Sequence, residues 1–241
     1  MCQSLHRLAA GLAFVCNLFL AVSTRAQQVD IHGPLGSGAF GAAVAVLPNG
    51  NFVVTDPDGP VSNVGVVYLY SPAGTLISSF TGSAANDHVG SGGISVLPSG
   101  NFVISSPDWA NGAALNAGAV TWVNGTVGLS GVVSSSNSLV GSTAGDSVGS
   151  SIYVLKNGKF VVASSFWANG TVTLAGAETW IDGSTGLSGP VSALNSSVGA
   201  TQDDFVGEEG IVELTNGNYV VPSSSWQNSA GACRSPVTCF T

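Results

Sequence analysis

The sequence predicts an all-β fold, a β-propeller-like array of four-stranded antiparallel blades, incomplete at about three and a half repeats. Two observations predict it. A turn-and-strand signature recurs four times: LPNGNFVVTDPD from Leu47, LPSGNFVISSPDWANG from Leu97, LKNGKFVVASSFWANG from Leu155 and LTNGNYVVPSSSWQNS from Leu214. Three of its turns read Asn-Gly (Asn49-Gly50, Asn157-Gly158, Asn216-Gly217) and the fourth Ser99-Gly100. Two-residue hairpins favour Asn-Gly because both turn positions need positive φ. Hairpins join antiparallel strands, which favours blades. A parallel β-helix or solenoid, whose rungs run one way, is the alternative.

The elements follow in order. His6 and Arg7 precede an apolar stretch from Leu8 to Val22, and Thr24-Arg25-Ala26 puts small residues at the −3 and −1 positions. This is the pattern of a signal peptide over 1–26, cleaved after Ala26. The stretch is short for a membrane span and lacks a basic stop-transfer flank. Residues 27–40 form a lead-in, of which Gln28 to Ile31 could donate a closing strand. The repeat domain covers 41–241, with units near 41–89, 90–148 and 149–206 and a partial unit over 207–241.

Two further signatures mark each unit. The connectors GSAANDHVG, GSTAGDSVG and GATQDDFVG end at Gly90, Gly149 and Gly207; the strands GVVYLY, GAVTW and GAETW begin at Gly65, Gly118 and Gly176. In the second unit, strands are expected near Gly93 to Leu97, at Asn101 to Ser106, at Gly118 to Trp122 and near Val132 to Val140. Phe102 and Ile104 should face one way and Val103 the other. Gly231-Ala232 should begin the third strand of the partial unit. The first unit lacks both the Trp-Ala-Asn-Gly loop and the Gly-Leu-Ser-Gly insert (Gly128 to Gly131, Gly186 to Gly189) of later ones. Insertions fall in loops while strand lengths hold, as in repeat arrays.

Cleavage would leave 215 residues (241 − 26), with three basic residues (Lys156, Lys159, Arg234) against thirteen acids, a formal charge of −10. Such a chain has no basic footprint for nucleic acid or for an anionic membrane surface, and no stretch of the mature chain is long enough to insert in a membrane. Expected localisation is secreted or at the cell surface. Cys233 and Cys239 remain after cleavage, and export permits a disulfide between them.

The repeats resemble the FG-GAP repeats of integrin α-subunit propellers. Phe40-Gly41 opens the first copy, Thr55-Asp56-Pro57 stands where Gly-Ala-Pro would, and GVVYLY follows; Val89-Gly90, Val148-Gly149 and Val206-Gly207 open the rest. The variant with Trp, Asn-Gly and GAVTW looks like repeats of bacterial filamentous-haemagglutinin and adhesin-type surface proteins. The resemblance implies a propeller that presents loops for contact, and the incomplete array is expected to be an open or four-blade-like piece of a longer adhesin. Many FG-GAP blades carry a calcium loop of the form Asp-x-Asp-x-Asp-Gly. The short turns here have no acid, and Asp56-Pro57-Asp58-Gly59 reads as an ordinary turn, so neither metal nor cofactor is expected.

Candidate chemistry is sparse. Asp87, Asp146 and Asp204 share one repeat position, and equivalent sites give equivalent environments, whereas an acid–base pair needs unlike ones. They read as Asx-type turns between blades. Asp203-Asp204 and Glu208-Glu209 read as solvated acids. His88 aligns with Ser147 and Phe205, so the unit does not require an imidazole. Trp109, Trp167 and Trp226 are the candidates for ligand contact, against the alternative that they plug gaps between blades. Trp122 and Trp180, in the third strand, read as packing. The expectation is an exported, non-enzymatic adhesion or scaffold protein that contacts a protein or glycan. The alternative is an exported carbohydrate-active propeller enzyme.

Overall fold

Each repeat folds as a small antiparallel sheet in which strand order follows chain order. The computed structural model describes residues 28–227 and the backbone of 237–240. Residues 1–26, read from sequence as a signal peptide, and Cys233 lie outside the described residues, as does the side chain of Cys239. The chain divides into two compact units, Met1–Asp30 and Ile31–Thr241, and every described strand lies in the second.

Blade 1 comprises β1 (Val44–Val46), β2 (Phe52–Asp56), β3 (Val66–Tyr70) and β4 (Leu76–Thr81). Blade 2 comprises β5 (Gly93–Val96), β6 (Phe102–Ser106), β7 (Ala119–Val123) and, after a short β8 (Gly131–Val132), β9 (Ser138–Val140). Blade 3 repeats this with β10 (Ser151–Val154), β11 (Phe160–Ser164), β12 (Ala177–Ile181), a short β13 (Gly189–Pro190) and β14 (Ser197–Val198). The partial fourth blade holds β15 (Val212–Glu213), β16 (Tyr219–Pro222) and β17 (Val237–Phe240). The fold is a propeller-like array of blades, and among the described residues no strand joins the fourth blade to the first.

The core lies between blades. Alternate strand residues face opposite ways, so each middle strand serves two cores. Phe102 and Ile104 pack with Val53, Val67 and Leu69 of blade 1. Val103 packs with Phe160 and Val162 of blade 3. Burying each such side chain contributes about 1.5–3 kcal/mol. The outer face of blade 1 is covered by Ile31 and Phe40, which pack on Tyr68 and Tyr70. Residues 28–34 form no strand, so the lead-in contributes side chains rather than a closing strand.

Three expectations change in detail. The hairpin loops hold three residues rather than two. Leu47 N–H bonds to the Asn51 carbonyl while Gly50 N–H bonds back to Leu47, and the pattern recurs at Leu97, Leu155 and Leu214. This is a type I turn followed by a left-handed residue, so only the glycine takes positive φ (+84° to +86°). Ser99 therefore fits the turn, its Oγ accepting from Asn101 N–H as the Asn49 and Asn157 Oδ1 accept from Asn51 and Lys159 N–H. The segment expected as one strand near Val132 to Val140 is two: β8 leaves its own blade and pairs in parallel with β4 of blade 1, and β9 alone completes blade 2. β13 does the same to β9. Lastly, the third strand of the partial unit is Val237–Phe240, with Tyr219 opposite Phe240 as Phe102 is opposite Val123.

Candidate functional site

Two features with chemical potential sit at the junctions between blades: a set of buried carboxylates and an exposed aromatic edge. The repeating aspartates come first. In each connector the carboxylate takes backbone N–H groups through one oxygen from its own turn: Ser83 and Ala84 to Asp87, Ser142 and Thr143 to Asp146, Ala200 and Thr201 to Asp204. The other oxygen reaches the following blade, at Ala110, Ala168 and Gln227 N–H. The Asx turn expected from sequence is thus also an inter-blade clamp. Asp204 is buried, not solvated. Burial raises its carboxyl, but hydrogen bonds from the Thr201 side chain and the Thr201, Gln227 and Ala200 amides outweigh this and hold it below the usual range.

Asp56 and Asp58 do not converge on a shared site. Asp56 is buried, with Oδ1 accepting from Ala39 N–H at 2.7 Å and Oδ2 without a hydrogen-bond partner among the described residues. Asp58 instead meets His88 Nδ1 at 3.1 Å near the surface. Among the described residues no group of three or more His, Cys, Asp or Glu could hold a metal ion. The backbone of His88, Ser147 and Phe205 is left-handed in every unit (φ +43°, +46° and +47°). The repeat therefore fixes the backbone there and leaves the side chain to vary.

One carboxylate breaks the periodicity, and sequence reasoning missed it. Glu178 on β12 is 1% exposed and faces the fourth blade. Tyr219 O–H donates to its Oε1 at 2.7 Å, and Oε2 has no hydrogen-bond partner among the described residues. Burial pushes the Glu178 carboxyl up to about 7, against a smaller lowering by the Tyr219 bond. The tyrosine hydroxyl is raised by burial and by the same glutamate. The aligned positions hold Val67 with Phe102 and Val120 with Phe160, both apolar core pairs. The signal was present in the repeats: valine becomes glutamate in the same junction where phenylalanine becomes tyrosine.

Trp109, Trp167 and Trp180 reverse the roles expected of them, while Trp122 packs against the core between blades 2 and 3 as expected. Trp109 and Trp167 are 3% and 4% exposed, packed in two inter-blade cores, with each indole N–H buried and without a hydrogen-bond partner among the described residues. They present no face to a ligand, and Trp226 is half-buried. Trp180, in the third strand, is 42% exposed. Its ring carries the Lys159 ammonium at 4.2 Å and borders a cleft of about 160 Å³ with Asn157, Asn216, Asn218 and Tyr219. One blade earlier, Trp122 borders an open groove of about 450 Å³ with Asn124, Leu129, Asn137, Thr185 and Leu187. Aromatic faces with amide side chains around them can stack on sugar rings or grip a peptide. At the rim, Ser184 hydrogen bonds lower the Asp182 carboxyl, with Lys159 adding to the effect.

Comparison with known proteins gives a family but no activity. The model of a repeat of unknown function, DUF5650, matches residues 96–150, 154–208 and 213–238, more than half of the chain. No curated protein matches. Among solved structures, the PQQ domain of pyranose dehydrogenase from Coprinopsis cinerea, in its holo form, is 14% identical with a TM-score of 0.35. The match covers 85% of this chain and 49% of that one. A protein of unknown function from Bacteroides caccae is 14% identical with a TM-score of 0.32, over 82% of this chain and 61% of that one. The chain spans about half the length of the first of these structures.

Proposed function

This chain belongs to the DUF5650 repeat family, and from that premise we propose that it is an exported, non-enzymatic adhesion or scaffold module that contacts a protein or glycan along its blade edges. One observation carries the reading: the exposed Trp180, with Lys159 over its ring and Asn157, Asn216 and Asn218 around the cleft. An exposed indole beside amide donors suits contact. The periodic carboxylates are meanwhile committed to backbone amides of the scaffold. The signal-peptide pattern supports export, and the FG-GAP-like openings at Phe40-Gly41, Val89-Gly90, Val148-Gly149 and Val206-Gly207 support a contact-presenting role.

The test is a glycan array together with partner pull-down, using the secreted protein and its Trp180→Ala and Lys159→Ala variants. Binding by the parent protein, lost in Trp180→Ala, is expected. Binding unchanged in both variants removes the Trp180 cleft from the function. Release of free sugar from the arrayed glycans overturns the non-enzymatic reading.

A further inference from the structure

Twice in this chain a unit lays its Gly-Leu-Ser-Gly insert over the outer edge of the blade before it. The first insert adds β8 to β4, with Phe80 opposite Gly131 and Thr81 opposite Val132. Val133 N–H then bonds to the Thr81 carbonyl at 2.9 Å. The second adds β13 to β9, with Leu139 opposite Gly189 and Val140 opposite Pro190, and Val191 N–H bonds to the Val140 carbonyl at 3.0 Å. In both, the leucine packs on the inter-blade core and the closing valine is buried in it: Leu129 and Val133 in the first, Leu187 and Val191 in the second.

The contact is specific for glycine at one position. A Cβ on Gly186 would stand 2.6 Å from Trp122 Cβ and 2.7 Å from its ring. On Gly128 it would collide with Ser78 and come within 3.2 Å of Leu69, the residue aligned with Trp122. Both glycines have positive φ (+73° and +68°). Polar contacts fix the root of the second insert. Trp122 Nε1 donates to the Gly183 carbonyl at 2.9 Å, and Asn101 Nδ2 reaches the same oxygen at 3.4 Å.

Blade 3 offers the same receiving surface a third time. β14 is the edge of its sheet among the described residues, and Val198 is opposite Ala177 as Val140 is opposite Ala119. Trp180 stands in the place of Trp122 and Lys159 in the place of Asn101, two donors for one carbonyl. The core between blade 3 and the fourth blade holds Leu155, Val161, Tyr219 and Val221, with no leucine or valine from an insert among its described members.

We propose that the outer edge of blade 3, formed by Ser197, Val198 and Trp180, is a docking site for an extended Gly-Leu-Ser-Gly-x-Val segment of another DUF5650 unit. The segment adds as a parallel strand, a form of strand addition at an open edge, with its first glycine flat on Trp180 and its valine entering the inter-blade core. This rests on the contact-presenting reading above and names the class of partner.

The experiment titrates the intact protein with a synthetic peptide of the sequence of residues 182–194, DGSTGLSGPVSAL, which contains no aromatic residue. Indole emission then reports only the protein. A saturable blue shift is expected. Binding should weaken at least about tenfold when the peptide carries Gly186→Val, and about as much for Trp180→Ala protein, as loss of a central aromatic anchor does. The peptide variant keeps the test decisive even if the protein variant misfolds. No saturable response, or equal responses to the parent, Gly186→Val and scrambled peptides, overturns the proposal. A protein that retains pull-down partners or glycans yet ignores the peptide refutes this docking and leaves the contact-presenting function standing.

Discussion

Glutamine in place of Glu178 should abolish a stability change between pH 5 and pH 8 that the parent protein shows. The carboxyl, ordinarily at 4.5, is held near 7 by burial. At about 1.4 kcal/mol per pH unit this displacement corresponds to about 3 kcal/mol. The folded pKa lies above the unfolded one, so from pH 4.5 to 7 the folded state binds more protons than the unfolded state. Stability from this group is therefore fully present below pH 4.5 and is lost as pH rises through 7. The physical cause is burial of a carboxyl whose Oε2 has no hydrogen-bond partner among the described residues: as a neutral acid it is tolerable there, as a shared negative charge it is not. Urea unfolding followed by indole emission should give a midpoint at pH 8 lower than at pH 5 by about 1 M or more, with an unchanged slope. Glu178→Gln keeps the shape and the acceptor for Tyr219, and its midpoint should move much less. Replacing the pair by the residues of the preceding junction, Glu178→Val with Tyr219→Phe, should also flatten the pH response and leave stability equal or higher. A midpoint that falls equally in parent and Glu178→Gln proteins would show that other groups govern the pH response.

Two further outcomes test the scaffold. Asp146→Ala strips acceptors from Ser142, Thr143 and Ala168 N–H and should cost about 3 kcal/mol or more, since each buried orphan costs about 1–3 kcal/mol; Glu208→Ala, at an exposed acid shortly after the third clamp, should cost under about 0.5 kcal/mol in the same thermal melt. Trp109→Ala should destabilise by about 3–5 kcal/mol through the cavity it leaves, whereas Trp180→Ala should leave unfolding within about 1 kcal/mol of the parent and affect contacts instead. Comparable melting losses for the two tryptophans would contradict their exposures of 3% and 42%.

The sequence alone determined what residues near one another in the chain control. Turn glycines, alternation in Phe102-Val103-Ile104 and the recurring connector aspartate were legible, because hairpin turns, the strand period and Asx turns are local. Even the inward and outward split of Phe102 and Val103 followed, since a blade between two neighbours must bury both faces. The tertiary structure decided everything that depends on the next blade. A tryptophan has the same composition whether it fills a core, as Trp109 does, or caps an uncovered edge, as Trp180 does; only the packing of the adjoining unit distinguishes them. The segment near Val132 to Val140 read as one strand, yet β8 finds its hydrogen bonds on the preceding blade and β9 alone stays in its own. The Glu178–Tyr219 pair spans 41 residues. Its meaning comes from the dry junction that closes over it, where a carboxylate and a hydroxyl replace two apolar side chains and must satisfy each other.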